Sequence, residues 1–212
     1  MAAANVRTID LGTITPLESP GETELAPLSR NSILGTKTYF SSVAGIGLDS
    51  EVARRANKLP RWLRGHGGYA LSMAPALLRF APLSMKIFTQ ENTGEWSTRS
   101  DQLTTLATFA NSGIYGGGMK IAPRAKLDDG QLDVCVIAGI DPLKLACLFP
   151  TVYFGRHLNI RDVNYFQAAR LRVETESPIE VYADGEWVCR TPIEVAVETG
   201  ALKVIVPRNP SE

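Results

Sequence analysis

Glu186 follows an Asp184-Gly185 pair, and Asp129 sits in a second such pair, Asp128-Asp129-Gly130. A carboxylate held at the tip of a rigid hairpin can take a proton from a hydroxyl during phosphoryl transfer, which is the chemistry open to Glu186. The same three residues also read simply as a turn between strands over 179–183 and 187–189, because Asp-Gly accommodates positive φ. Asp129, with nearby carbonyl oxygens, has the donor chemistry of a hard cation such as Mg²⁺, while Asp-Gly again reads as a hairpin turn. Gly116-Gly117-Gly118 exposes backbone N–H groups to a phosphate or a lipid head; on spacing alone it reads first as a bend or bulge between strands. It is no Walker loop, since no Gly-Lys-Ser/Thr follows at the required interval. Gly45-Ile46-Gly47-Leu48-Asp49 is half of a dinucleotide fingerprint without its third glycine, and reads as a strand-to-helix turn capped by Asp49 or Ser50.

Other chemistries are poorly supplied. The two histidines, His66 and His157, are far apart, which argues against a histidine metal centre or a histidine triad. Cys135, Cys147 and Cys189 are odd in number and form no Cys-x-x-Cys, the pattern of reduced, buried thiols in a cytoplasmic protein. Lys plus Arg equals Asp plus Glu at 22 each, so no global charge draws the chain to nucleic acid or anionic membrane. Met1-Ala2-Ala3-Ala4 lacks the basic start of a signal peptide, and no run approaches the roughly 18 apolar residues of a membrane span. Membrane contact is therefore expected to be peripheral.

The positioning elements read as follows. Strands are expected over Val6–Ile14 and Thr36–Val43, paired as a hairpin across a proline-bearing connection at Pro16–Ser32. A helix follows Gly47 with Val52, Ala53 and Ala56 inward, and a second helical zone spans Trp62–Phe80 with an interruption at Pro75. The apolar stripe of that zone reads as core ahead of a membrane-docking face. Further strands are expected over 86–89, 103–110 and 131–138. Asp141-Pro142 opens a helix over Leu143–Phe154 that Gly155 ends. Closing strands fall at 169–175, 179–183, 193–198 and 202–206, the last two joined by a tight turn at Thr199-Gly200. The 212 residues, 44% hydrophobic and 21% charged, suffice for one domain with a sizeable core. The expected class is mainly β (α+β), an antiparallel β-sandwich with a few helices.

The order of these signals carries a resemblance. Arg7-Thr-Ile-Asp10-Leu-Gly12 comes first, then Gly45-Ile-Gly47-Leu-Asp49-Ser-Glu-Val52. Asn111 and Gly116-Gly-Gly-Met-Lys-Ile-Ala-Pro123 follow, then Ala125, Asp129-Gly130 and Leu132-Asp133-Val134. Gly155-Arg-His157 and Asp184-Gly185-Glu186 close the series. In this order they resemble the C-terminal domain of bacterial diacylglycerol kinase-like lipid kinases, relatives of the sphingosine and ceramide kinases, from about Val6 to Pro207.

The resemblance implies a β-sandwich acceptor domain that meets a smaller ATP-binding domain across a cleft. It implies that Asp129, with the backbone carbonyls of Lys126 and Gln131, holds a structural Mg²⁺. Glu186 matches the proton acceptor, Asp49 matches an acid that contacts the acceptor's polar head, and Gly116, Gly117 and Gly118 line the cleft. The Gly-Gly-Asp-Gly loop through which such kinases bind nucleotide does not occur in this chain. The expectation is therefore a single acceptor domain over 1–212 without the nucleotide-binding domain, inactive alone: an excised domain, a truncated protein or half of a split enzyme. The implied partners are a diacylglycerol-like or sphingoid lipid, a nucleotide-binding domain with ATP, the inner membrane surface from the cytoplasmic side, and a second copy through exposed edge strands; no nucleic acid is expected. The rival readings are a non-catalytic lipid-binding or dimerisation module and a structural remnant without a ligand.

Overall fold

The computed structural model describes residues 5–18, 36–58, 76–77, 80–91 and 93–207. Strands Asn5–Pro16 (β1), Thr38–Phe40 (β2) and Val43–Gly47 (β3) lead into helix Leu48–Asn57 (α1). Strands Leu83–Gln90 (β4), Trp96–Ala110 (β5) and Leu132–Ala138 (β6) precede helix Pro142–Tyr153 (α2) and a 3-10 turn, Arg156–Asn159. Val163–Ala168 (β7), Arg170–Thr175 (β8), Glu180–Ala183 (β9), Glu186–Arg190 (β10) and Ile193–Val206 (β11) complete the described chain. The strands form one sheet in the order β10-β9-β3-β5-β4-β8-β11-β1-β2, with β6 and then β7 branching from β5. Every pairing is antiparallel, for example Gly45 against Thr108 and Asn5 against Val206. This is the mainly β, sandwich-like architecture expected from the sequence.

Two apolar clusters explain the patterning. Ile46, Phe109, Val134, Leu171, Val181 and Ile193 belong to one, enclosed by the sheet. Val43, Leu106, Cys135 and Ile137 face the other way, towards Val52 of α1 and Leu145, Leu148 and Val152 of α2. β3 and β6 are thus covered on both faces and read as unbroken apolar runs, Val-Ala-Gly-Ile-Gly and Leu-Asp-Val-Cys-Val-Ile. β8 alternates because one of its faces is wet. Each fully buried Phe or Ile contributes about 1.5–3 kcal/mol, so these central strands are the rigid floor on which the site stands.

The structure corrects several boundaries. The strand expected over Thr36–Val43 is two strands broken at Ser41-Ser42, with β2 on β1 at the sheet edge and β3 at its centre. Residues 199–201 form no turn: β11 runs straight through them, and the extra residues make a bulge opposite Leu11 and Ile9. Asp129-Gly130 ends a connection over residues 111–131 between β5 and β6 rather than making a two-residue hairpin, and only Gly130 takes positive φ. Asp49 does not cap α1; Gly47 stands at the cap position with φ 83°, no side chain caps the helix, and the Ser50 hydroxyl donates to Gly45 O at 2.9 Å. β7, which the sequence reading left unassigned, pairs with β6. Cys147 is exposed, unlike Cys135 and Cys189. The helical zone over Trp62–Phe80 lies outside the described residues except near its end, where Ala76 and Leu77 are buried and Phe80 N donates to Ala76 O. Residues 19–35 of the β1–β2 connection also lie outside them.

Candidate active site

Asp184 takes φ 49° and Gly185 φ 86°, the two positive values that a two-residue β-hairpin demands, and Ala183 pairs with Glu186 across it. Asp184 then uses its carboxylate on the neighbouring chain. Oδ2 accepts from Ser41 N at 2.7 Å and Ser41 Oγ at 2.9 Å, and Oδ1 accepts from Ser42 N at 2.9 Å and Val43 N at 3.1 Å. Those bonds satisfy the backbone where β2 breaks from β3. Asn57, at the end of α1, donates to Gly185 O at 2.7 Å. The hairpin tip is therefore tied to a strand break and a helix end, and Glu186 stands exposed on it.

Asp49 lies in the first turn of α1, folded over the backbone of Gly45. A Cβ on Gly45 would sit 2.0 Å from Asp49 Oδ2, so only glycine leaves room for this carboxylate. Tyr115 donates its hydroxyl to Asp49 Oδ1 at 2.7 Å. Tyr115 and Met119 in turn exchange backbone hydrogen bonds at 3.0 and 2.9 Å, closing a loop that contains Gly116, Gly117 and Gly118. All three have positive φ, and nothing lies within 4 Å of a Cβ placed on Gly117 or Gly118, so the run serves backbone conformation and openness, not tight packing. A hollow of about 500 Å³ beside the loop is lined by Ser112, Gly113, Ile114, Lys120, Pro123 and Phe154.

Ser41–Val43 joins these parts. Asn111 N and Ser112 N donate to Ser42 O at 2.8 and 3.1 Å, and Asp184 N donates to Val43 O at 3.0 Å. Ser41–Val43, at the start of β3, thus ties the Glu186 hairpin to the connection bearing the glycine run, while Asp49, from beyond the other end of β3, lies over Gly45 and reaches that run through Tyr115. Asp129 belongs to a second group. Its Oδ1 accepts from Gln131 N at 3.1 Å, and its Oδ2 lies 3.4 Å from Gln167 Nε2, which also donates to buried Asp133 at 3.2 Å. Asp10, only 4% exposed, holds this loop: its carboxylate accepts from Gly130 N and Gly200 N, both at 2.8 Å, and its own N donates to Leu127 O. Asn111 links the two groups, donating to Asp10 O at 2.8 Å and Ser41 O at 3.1 Å. Asp10, Asn111, Asp184 and Tyr115 carry these connections; sequence reasoning assigned Asp184 only its place in a turn and Asp10 and Asn111 only their place in the motif order, and it singled out Tyr115 for nothing. A hint was present for Asp10, a charged residue inside the otherwise apolar Ile9-Asp10-Leu11.

Asp129 is exposed, and the donors that the resemblance groups with it, the main-chain oxygens of Lys126 and Gln131, make an all-oxygen set. Among the described residues no three His, Cys, Asp or Glu side chains are grouped to hold a metal. This set fits Mg²⁺, which takes oxygen donors and keeps several waters, and does not fit zinc. Burial decides the titration of two thiols and of one imidazole. Cys135 and Cys189 are pushed up to about 12, which makes both thiols inert at neutral pH. His157, fully buried, is held below its ordinary value by burial; its Nε2 meets Ile121 O at 3.0 Å and its Nδ1 has no partner among the described residues. Among the described residues no helix is long and apolar enough to cross a membrane.

Residues 42–206 match the family model of the YegS C-terminal NAD kinase beta sandwich-like domain. A diacylglycerol kinase of Mycobacterium tuberculosis is 37% identical over 175 residues, covering 82% of this chain and 54% of the relative. A diacylglycerol kinase of Bacillus subtilis is 24% identical over 174 residues, covering 82% and 55%. A crystal structure of a diacylglycerol kinase from Bacillus anthracis covers 98% of this chain and 56% of that one, with a TM-score of 0.57 at 18% identity, a likeness of fold alone. The chain belongs to the diacylglycerol kinase-like lipid kinase family, as its C-terminal β-sandwich domain. It spans about half the length of the curated relatives it matches.

Proposed function

We propose that this chain is the acceptor side of an ATP-dependent lipid kinase, moving the γ-phosphoryl of MgATP to a hydroxyl of a diacylglycerol-like or sphingoid lipid. The observation that carries the reading is the junction at Ser41–Val43, which ties the Asp184-Gly185-Glu186 hairpin and the connection bearing the glycine loop to one end of β3. Glu186, exposed at a tip that is itself held, is suited to orient the acceptor hydroxyl and take its proton as the new P–O bond forms. Asp49, fixed over Gly45 by packing and by Tyr115, offers a carboxylate to the polar head. Gly116–Gly118 offers backbone without side-chain bulk beside the hollow. Asp129, Lys126 and Gln131 would hold a structural Mg²⁺, with Asp10 fixing the loop that presents them. This ion would supply rigidity between the loop and the bulge of β11.

ATP is bound by a separate nucleotide-binding domain, so the 212-residue chain assayed by itself transfers no phosphoryl group. The test is transfer from labelled ATP to diacylglycerol or sphingosine in mixed micelles, with the chain alone and with a separately expressed nucleotide-binding domain from its own genome. Activity confined to the mixture and abolished by Glu186→Gln supports the proposal. Robust activity of the chain alone contradicts it. Lipid binding with silence in both arms moves the chain to the non-catalytic lipid-binding reading.

A further inference from the structure

α2 is apolar around most of its circumference. Leu145, Leu148 and Val152 point into the core, whereas Leu143 (75% exposed), Cys147, Pro150 and Phe154 (73% exposed), the last just past the helix end, are open to solvent. Their spacing of four, three and four residues puts them on one face over a helix about 18 Å long. A helix apolar on all sides is normally buried, so an uncovered face of this kind marks a docking surface. Ile114, 52% exposed, extends the face beyond Phe154 across the hollow by the glycine loop.

The charge around this face is one-sided towards its Phe154 end, whereas Asp141 caps the Leu143 end. Residues 111–126 contain Lys120, Arg124 and Lys126 and no carboxylate, and residues 142–161 contain Lys144, Arg156 and Arg161 and no carboxylate. The two segments touch, since Lys120 N donates to Val152 O. Lys144 is paired with Asp162 at 2.6 Å, which leaves the positive charge concentrated at the Phe154 end. In a chain with no net charge, that local excess selects an anionic partner. A second copy meeting the same face across a two-fold axis would bring the cations together, which disfavours self-association.

We propose that the outer face of α2, from Leu143 to Phe154 with Ile114, is a docking surface for an anionic lipid bilayer. The apolar side chains enter the headgroup–acyl boundary, and Lys120, Arg124 and Arg156 stay at the phosphates. This brings the hollow and the glycine loop to the membrane surface. The inference rests on the lipid-kinase reading for its purpose and on α2 alone for its geometry.

The test is sedimentation of the 212-residue chain with phosphatidylcholine vesicles, with and without phosphatidylglycerol. Binding only to the anionic vesicles, weakening with salt, is expected. Leu143→Glu with Phe154→Glu lowers the partition about tenfold or more without changing the thermal melt, because both side chains are exposed. Lys120→Glu with Arg156→Glu lowers it too, whereas Ile205→Glu, at an exposed apolar site on β11, does not. A polarity-sensitive fluorophore on Cys147, the exposed thiol on this face, shifts to the blue only with anionic vesicles. Failure to bind, or binding indifferent to the Leu143/Phe154 change, overturns the proposal. So does a Leu143/Phe154 change that alters the sedimentation mass without lipid or breaks assembly with the nucleotide-binding domain, since the face then belongs to a protein. Docking without phosphoryl transfer keeps this face and removes the kinase reading; transfer in micelles without vesicle docking does the reverse.

Discussion

Asp184 and Glu186 divide the work of one tripeptide. Asp184 spends its carboxylate on the Ser41–Val43 backbone, and Glu186 is the carboxylate of the pair left exposed. Asp184→Ala is expected to lower stability by about 1–2 kcal/mol, moderated because water can reach the freed N–H groups, and chemical denaturation measures it. Glu186→Gln is expected to leave stability unchanged and to lower the assembled enzyme's rate by roughly 10²-fold or more, with lipid binding retained. Gly45→Ala forces the Asp49 carboxylate aside, since the new Cβ would lie 2.0 Å from it. The expected result is a raised KM for lipid with a smaller change in kcat. An unchanged KM would remove Asp49 from head-group binding.

At the scale of elements, the 3-10 turn Arg156–Asn159 carries a pH-dependent contribution. Burial holds His157 below its ordinary pKa of 6.5, so the unfolded chain binds the proton more readily. The stability this represents is fully present above about pH 6.5 and is lost as pH falls below it, towards the lower folded value, at no more than about 1.4 kcal/mol per pH unit. Thermal melts between pH 7 and pH 5 should show that slope, and a His157→Gln variant should flatten it. Much of this level was legible in the sequence. Asp141-Pro142 opens α2 as expected, with Asp141 Oδ1 accepting from Leu143 N and Lys144 N at 3.0 Å each. The Asp184-Gly185 hairpin has the positive φ values its residues imply. What was not legible depends on distant partners. The break at Ser41-Ser42 is made by Asp184, more than a hundred residues away. The straight run of β11 through Thr199-Gly200 needs Asp10 to satisfy the bulge, and no local propensity reports either.

For the whole molecule, the central sheet is the rigid part, and the candidate site is held together by long-range hydrogen bonds from the side chains of three residues, Asp184, Asp10 and Asn111. The sequence order of the motifs located the family without revealing that Asp129 stands apart from Glu186, bridged through Asn111, because order says nothing about distance. The most direct test of the central claim is phosphoryl transfer from labelled ATP to diacylglycerol or sphingosine by this chain mixed with its genome's nucleotide-binding domain, beside each part alone. Transfer only in the mixture, lost with Glu186→Gln, is the predicted result. Transfer by the mixture that Glu186→Gln leaves intact, or transfer by the 212-residue chain alone, would contradict it.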